Sequence, residues 1–388
     1  MTIDPYDIAV CTEIEADAGA GWSPAAPPIV QTSLFTYPTF EALLDAFAAE
    51  HKNRLYTRGQ NPTVEILERK LAALERGEAC KVFASGMAAV SAVILGLLRS
   101  GDHILFVNQT YGPTLQLAER MRRFGIEHDL LLDTDVDSVA RALRPNTKLV
   151  WLESPGTMTF RMLDVPAIAA LARDHGALTC IDNSWATPLF QKPITFGVDI
   201  VVHSATKYIG GHSDVVAGAV ITTAERMEEL FYGAFLLNGG ILGPFDAWLL
   251  LRGLRTLPVR MKQHEADALR VAEFLAGHPA VRRVHHPALT EDRELAERQL
   301  AGYSGLFSFD LVRDDFDSVA RVINALRRFH IGVSWGGFES LVISPRRPNN
   351  EAYLDKRRIP RGLIRISVGL EGADALIEDL AQALEEVA

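Results

Sequence analysis

Cysteine is scarce in this chain of 388 residues: Cys11, Cys80 and Cys180 are odd in number and widely separated. That excludes a disulfide framework and the close cysteine pairs of a metal site, and it suits a reducing compartment. Long apolar runs are missing too. The nearest approach, 88–98, falls well short of the roughly 20 residues a membrane span requires and contains Ser91. The N-terminal segment is acidic and has no basic start ahead of an apolar stretch, so no secretory signal is read there and a cytoplasmic protein is expected. Lys and Arg nowhere cluster with interleaved aromatics, and the formal charge of -10 is spread over the whole length, which argues against nucleic acid as a partner. No internal repeat or low-complexity tract is visible.

What the chain does have is ordinary globular composition, 48% hydrophobic and 23% charged, in a length that suits a large domain plus a smaller one. Short apolar runs at 81–84, 103–107, 148–152, 178–181, 199–203 and 218–222 alternate with amphipathic segments. That alternation predicts an α/β domain with a mostly parallel sheet and crossover helices on both faces. Several runs end on polar residues: Ser85, Asn108, Glu153, Asp182 and Ser204. In such sheets the carboxyl ends of the strands line the ligand crevice, so chemistry is expected there.

A helix is bounded by Asn61 as N-cap, Pro62 at its first position and Gly77 as its stop, with Val64, Leu67, Leu71 and Leu74 on one stripe. The segment before it is irregular and richer in proline, as an arm or a peripheral strand of chain would be. Beyond Thr223 the pattern changes to longer helices, one of them at 259–276, followed by strands near 305–311, 340–344 and 363–368 and a last helix from Ala373. Leu376, Ile377, Leu380 and Leu384 lie on one face of that last helix. The expected organisation is an N-terminal arm over 1–54, a large domain over 55–250 and a smaller α+β domain over 251–388.

The chemistry concentrates in two stretches, Asp182-Asn183-Ser184-Trp185 and His203-Ser204-Ala205-Thr206-Lys207. A lone Lys is ordinarily a solvated surface residue and a lone Asp at a strand end an ordinary helix cap. Here, at successive strand ends, both are expected to face one crevice. Pyridoxal phosphate (PLP) needs such a pair: a Lys whose amine condenses with its aldehyde, and a carboxylate that keeps the pyridine nitrogen protonated. Ser204 and Thr206 offer hydroxyls to a phosphate. Ser85-Gly86-Met87, where a strand gives way to a helix, offers amide NH groups at the positive end of the helix dipole.

With these residues in view, the chain resembles the Cys/Met-metabolism family of PLP-dependent enzymes, the relatives of cystathionine β-lyase, γ-lyase and γ-synthase. The resemblance runs from about Pro27 to the C-terminus. It is carried by Tyr56-Thr57-Arg58 with Asn61-Pro62-Thr63, Ala84-Ser85-Gly86-Met87, Tyr111-Gly112, Glu153-Ser154-Pro155, the Asp182 and Lys207 stretches, Gly243-Pro244-Phe245-Asp246, and Ser334-Trp335-Gly336-Gly337.

It implies the fold of PLP-dependent transferases, in which Lys207 carries the cofactor and acts as base, Asp182 pairs with the ring nitrogen and Tyr111 stacks on the ring. Gly86, Met87, Ser204 and Thr206 would hold the phosphate, and Tyr56 and Arg58 would complete it in the neighbouring subunit. Arg365 would grip the substrate α-carboxylate, with Ser334 and Trp335 beside it. A homo-oligomer with shared sites follows, expected as a tetramer built of two dimers, acting on a small amino acid.

One departure touches the cofactor site: Thr157 stands where many relatives have the Asn that contacts the cofactor's phenolic oxygen.

The reaction is read from 331–337. γ-Lyases and γ-synthases commonly place an acidic residue before Ser-Leu-Gly-Gly, whereas this chain has Val333-Ser334-Trp335-Gly336-Gly337 as β-lyases do. Without an acid there to attract a distal ammonium, β-elimination from a cystathionine-like amino acid is expected. The 58–63 and 242–245 segments look equally like the γ branch, so γ-elimination of cystathionine-, methionine- or canavanine-like substrates, or γ-replacement of an activated homoserine, stands as the alternative.

Overall fold

The computed structural model describes residues 2–14 and 23–387. Seven strands, β1 (Ala79–Phe83), β2 (His103–Val107), β3 (Glu127–Leu131), β4 (Thr147–Glu153), β5 (Leu178–Asp182), β6 (Ile200–His203) and β7 (Gly218–Thr222), form one sheet in the order β1-β7-β6-β5-β4-β2-β3. Only β7 runs against its neighbours; β2 to β6 pair in parallel. Alternate strand residues feed two cores. Leu105, Val107, Val150, Leu152 and Ile181 face one side, packed by the Pro62–Glu75 helix. Ile104, Phe106, Leu149, Trp151 and Cys180 face the other, packed by the Gly86–Leu97 helix. Burial on both faces is why these strands read as continuous apolar runs. All three cysteines are buried and free, and burial pushes their thiols up, Cys11 to about 12.

A second sheet follows: β8 (Val281–His285), β9 (Leu306–Leu311), β10 (His330–Ile331), β11 (Leu341–Ile343) and β12 (Leu363–Ser367), in the order β10-β11-β12-β9-β8. The Ala373–Leu384 helix packs Leu376, Leu380 and Leu384 into the core, with Ile377 partly buried beside them.

Four features differ from the sequence reading. Strands β3, β8 and β10 were not anticipated; all three lie at sheet edges, where polar residues such as Glu127, Asp129, Arg282 and Arg283 break the apolar signal. The helix expected at 259–276 starts fifteen residues earlier and spans Pro244–Ala276, with Pro258 inside it. The expected domain boundary at 250/251 therefore falls within a continuous helix. The Pro62–Glu75 helix closes on Arg76 in the left-handed conformation, φ 62°, rather than on Gly77.

The start of the expected arm is docked rather than free. The Pro5–Thr12 helix buries Asp7 completely, and its carboxylate bonds Arg76 at 2.8 Å and Lys192 at 2.7 Å.

Candidate active site

Because β7 opposes both β1 and β6, the carboxyl ends of β1, β2, β4, β5 and β6 share one edge, and the polar residues that follow them converge there. Past β6 the chain turns back through a Lys207 N–H to Ser204 carbonyl bond of 3.1 Å. Lys207 Nζ then donates to Ser334 Oγ at 2.8 Å and sits 5.5 Å from the centre of the Trp335 ring. Gly336 lets the two segments meet. It has φ 80°, and a Cβ there would stand 2.9 Å from the Tyr208 nitrogen and 3.2 Å from Lys207 Cβ. Burial, then the charge of Arg365, pull the Lys207 amine down to about 8 against the opposing pull of Asp182.

Asp182 ends β5. Its Oδ1 accepts from the Ser184 amide at 3.0 Å and the Ser184 hydroxyl at 2.5 Å, while Oδ2 has no hydrogen-bond partner among the described residues. Ser184 Oγ in turn accepts from the Ser204 amide at 2.6 Å. One hydroxyl thus joins the Asp182 turn to the loop that carries Lys207. Facing Ser204 is the start of the Gly86–Leu97 helix, where Ser85 caps the Ala88 amide at 3.0 Å. A Cβ on Gly86 would lie 3.0 Å from both Cβ and Oγ of Ser204, so any larger residue would require Ser204 to give way. Met87 is half-buried beside it. Thr206 behaves otherwise than expected: its hydroxyl donates to the Ala217 carbonyl at 3.1 Å and accepts from the Ala217 amide at 2.9 Å. To donate to a phosphate it must redirect that proton.

Tyr111 opens the Gly112–Met121 helix with its side chain about half exposed. Its amide donates to Glu153 Oε1 at 2.7 Å. Glu153 and Asp182 are paired on adjacent strand ends, and burial followed by the Asp182 charge push the Glu153 carboxyl well up. The Tyr111 phenol is raised by burial, with Arg365 acting against the rise. Arg365, on β12, is 9% exposed, and its Nη2 donates to the Val333 carbonyl at 3.2 Å. Burial pulls this guanidinium down to about 10.

Lys207, Asp182, Ser204, Gly86, Tyr111, Arg365, Ser334 and Trp335 are thus brought together. Tyr56 and Arg58 are not. The Arg58 guanidinium lies 5.5 Å from the centre of the exposed Tyr56 ring, and no bond among the described residues joins either residue to the Lys207 cluster. Sequence reasoning placed Glu153 at a strand end and Ser184 in the Asp182 stretch but gave neither a role in the site. For Ser184 a signal existed: an Asp followed two residues later by Ser at a strand end is the pattern of a side-chain-closed turn.

A half-buried amine with a lowered pKa, a carboxylate with one free oxygen and a close glycine approach at a helix N-terminus fit the three handles of PLP: aldehyde, ring nitrogen and phosphate. Comparison with known proteins agrees. The profile of the "Cys/Met metabolism PLP-dependent enzyme" family matches residues 9–385. The chain belongs to this PLP-dependent family. Among relatives of the family, the cystathionine gamma-lyase of Bacillus subtilis is 40% identical over 367 residues, covering 93% of this chain and 94% of its own. The cystathionine beta-lyase MetC of the same organism is 39% identical over 381 residues, covering 96% and 94%. The crystal structure of metB from Corynebacterium glutamicum superposes with a TM-score of 0.91 at 33% identity, covering 99% of this chain and all of that one. The fold is therefore that of the family: a mostly parallel sheet between helices, with a smaller C-terminal sheet.

Proposed function

We propose that the protein is a carbon–sulfur β-lyase acting on cystathionine-like amino acids and giving pyruvate, ammonia and a thiol. The observation that carries this reading is the Val333-Ser334-Trp335 turn. Val333 is 80% exposed and apolar, so the turn that binds Arg365 through its carbonyl and Lys207 through Ser334 offers no carboxylate to a distal ammonium. When bound, PLP supplies the electron sink that makes the substrate Cα–H acidic.

The residues divide the remaining work. Arg365 holds the α-carboxylate as a charge-assisted pair. Asp182 would offer its free oxygen to the ring nitrogen, Tyr111 would cover the ring, and Gly86, Met87, Ser204 and Thr206 would hold the phosphate. Lys207, with a pKa of about 8, is close to half neutral near that pH, so its Nζ can take the Cα proton, with Ser334 Oγ holding it in place. Loss of that proton expels the Cβ substituent as a thiolate, which takes its bonding electrons with it and is protonated. The three-carbon remainder hydrolyses to pyruvate and ammonia. Tyr56 and Arg58, exposed and not bonded to this chain's own cluster, complete the site of a neighbouring copy in a cytoplasmic homotetramer.

A second reading, γ-elimination, is favoured by 58–63 and 242–245, and the identities of 40% and 39% to a γ- and a β-lyase do not separate the two. Incubating the holoenzyme with L-cystathionine and assaying each keto acid decides between them. Pyruvate is expected; 2-oxobutyrate as the sole keto acid overturns the β assignment. Turnover only when O-acylhomoserine and a thiol are supplied together identifies γ-replacement.

A further inference from the structure

Beside Arg365 lies an open pocket of about 410 Å³, walled in part by Met158, Ser344, Arg347, Asn350, Tyr353 and Arg365. Its size is that of a small-molecule site. The wall is one-sided in charge. Arg347 and Arg365 are its only ionisable groups apart from the Tyr353 phenol, and no carboxylate lines it.

The neighbouring basic residues differ in how they are satisfied. Arg346 pairs with Glu351, Arg358 with Asp133 and Arg361 with Asp355. Arg347 does not. Its backbone amide is tied to Asn350 Oδ1 at 2.9 Å, which fixes the start of the side chain, but its guanidinium has no hydrogen-bond or ion-pair partner among the described residues.

Arg365 and Arg347 also lie on one continuous piece of chain and sheet. Arg365 pairs in register with Ile343 across β12 and β11, and Arg347 follows four residues after Ile343. A substrate whose α-carboxylate rests on Arg365 can thus extend its side chain into a pocket that carries an unpaired cation on its wall.

We propose that Arg347 is a specificity-determining residue that receives a distal carboxylate, so that the preferred substrates are thioether amino acids with an anionic far end. This rests on the assignment of Arg365 as the α-carboxylate grip and on the lyase reading above. A guanidinium on the cavity wall recognises a carboxylate through paired N–H donors and repels an ammonium. Because the contact forms equally before and during bond breaking, it acts on KM.

The test compares holoenzyme turnover of three cysteine thioethers of similar length: S-(2-carboxyethyl)-L-cysteine, S-propyl-L-cysteine and S-(2-aminoethyl)-L-cysteine. Wild type is expected to prefer the carboxylate over the propyl compound by about fivefold in kcat/KM, the upper scale of one exposed ionic contact, and to use the amine least. Arg347→Gln should erase the carboxylate preference through KM while leaving the propyl substrate within about twofold, and Arg347→Lys should restore part of it. An unchanged preference in Arg347→Gln, or an equal loss on all three substrates, overturns the proposal. The same compounds one methylene longer, built on homocysteine, are run in parallel. If only these turn over, giving 2-oxobutyrate, the β reading fails while the charge preference still reports on Arg347.

Discussion

The Lys207 amine is the residue on which the site turns, and its ionisation is set by surroundings that the sequence does not display. An unperturbed Lys titrates near 10.5; burial and Arg365 bring this one to about 8. A depressed pKa in a base means that the neutral, nucleophilic form appears at lower pH. The rate at which the cofactor-free protein takes up PLP covalently should therefore rise with pH and level off just above 8, read from the growth of the cofactor's visible absorbance. A rate still climbing steeply between pH 9 and 10 contradicts the assigned environment. Lys207 itself, Asp182 and Arg365 were legible in the sequence because strand ends and motif order mark them. Ser184 and Glu153 were less so, since their part is to hold Asp182, Ser204 and Tyr111 through short hydrogen bonds, and such bonds have no periodicity. Arg347 carried no signal at all: its isolation from carboxylates is a fact of three-dimensional pairing.

Among the elements, the Pro244–Ala276 helix ties the site to the rest of the molecule. Arg260 Nη1 donates to the Tyr208 carbonyl at 2.7 Å and Nη2 to Gly253 of its own helix at 2.9 Å, so the residue after Lys207 is held by this helix. Gly253 faces the same loop, and a Cβ there would meet the carbonyl oxygens of Gly210 at 2.5 Å and Ile209 at 2.6 Å. In an isolated helix Gly→Ala stabilises by about 1 kcal/mol. Here the clash is with backbone, which yields little, and overpacking of this kind costs about 1–3 kcal/mol. Gly253→Ala should consequently lower Tm and weaken PLP retention on dialysis; a higher Tm with unchanged retention shows that the contact is slack. The same helix shows where reading the sequence stops short. Pro258 in its interior lacks an amide donor and marks a helix start in most contexts, so the true start at Pro244 was hidden. The central strands were legible because both faces are buried; the edge strands β3, β8 and β10 were not, because solvent relaxes the choice of residue on the outer side.

For the molecule as a whole, the contact between that helix and the second sheet has a pH signature. His264 is fully buried against the Tyr208 ring, 5.1 Å between centroids, and its Nδ1 lies 2.9 Å from the Val368 carbonyl just past β12. Burial pulls its pKa down to about 4 from 6.5. Since the unfolded chain protonates this group near 6.5 and the folded chain only near 4, acid favours unfolding across that interval. The stability His264 contributes is complete above pH 6.5 and is lost as pH falls toward 4. The decline should reach about 1.4 kcal/mol per pH unit. His264→Asn keeps an N–H for Val368 but does not titrate. The difference in urea midpoint between wild type and this variant should shrink steadily from pH 7 to pH 4, and a constant difference refutes the assignment. The two-sheet architecture was legible from the order of apolar runs. The length of the Pro244–Ala276 helix, which carries the expected 250/251 boundary within it, was not.

The close approach of Gly336 to Lys207 has a further consequence. The amine that carries the chemistry rises from the first sheet's crevice, yet it is steadied by Ser334 and overlain by Trp335, which belong to the chain after the long helix. The large unit is a socket whose far wall is supplied by a segment more than a hundred residues further along the chain. Lys207 accordingly reaches its working surroundings only once the chain through Gly336 has been made and folded back onto the first sheet.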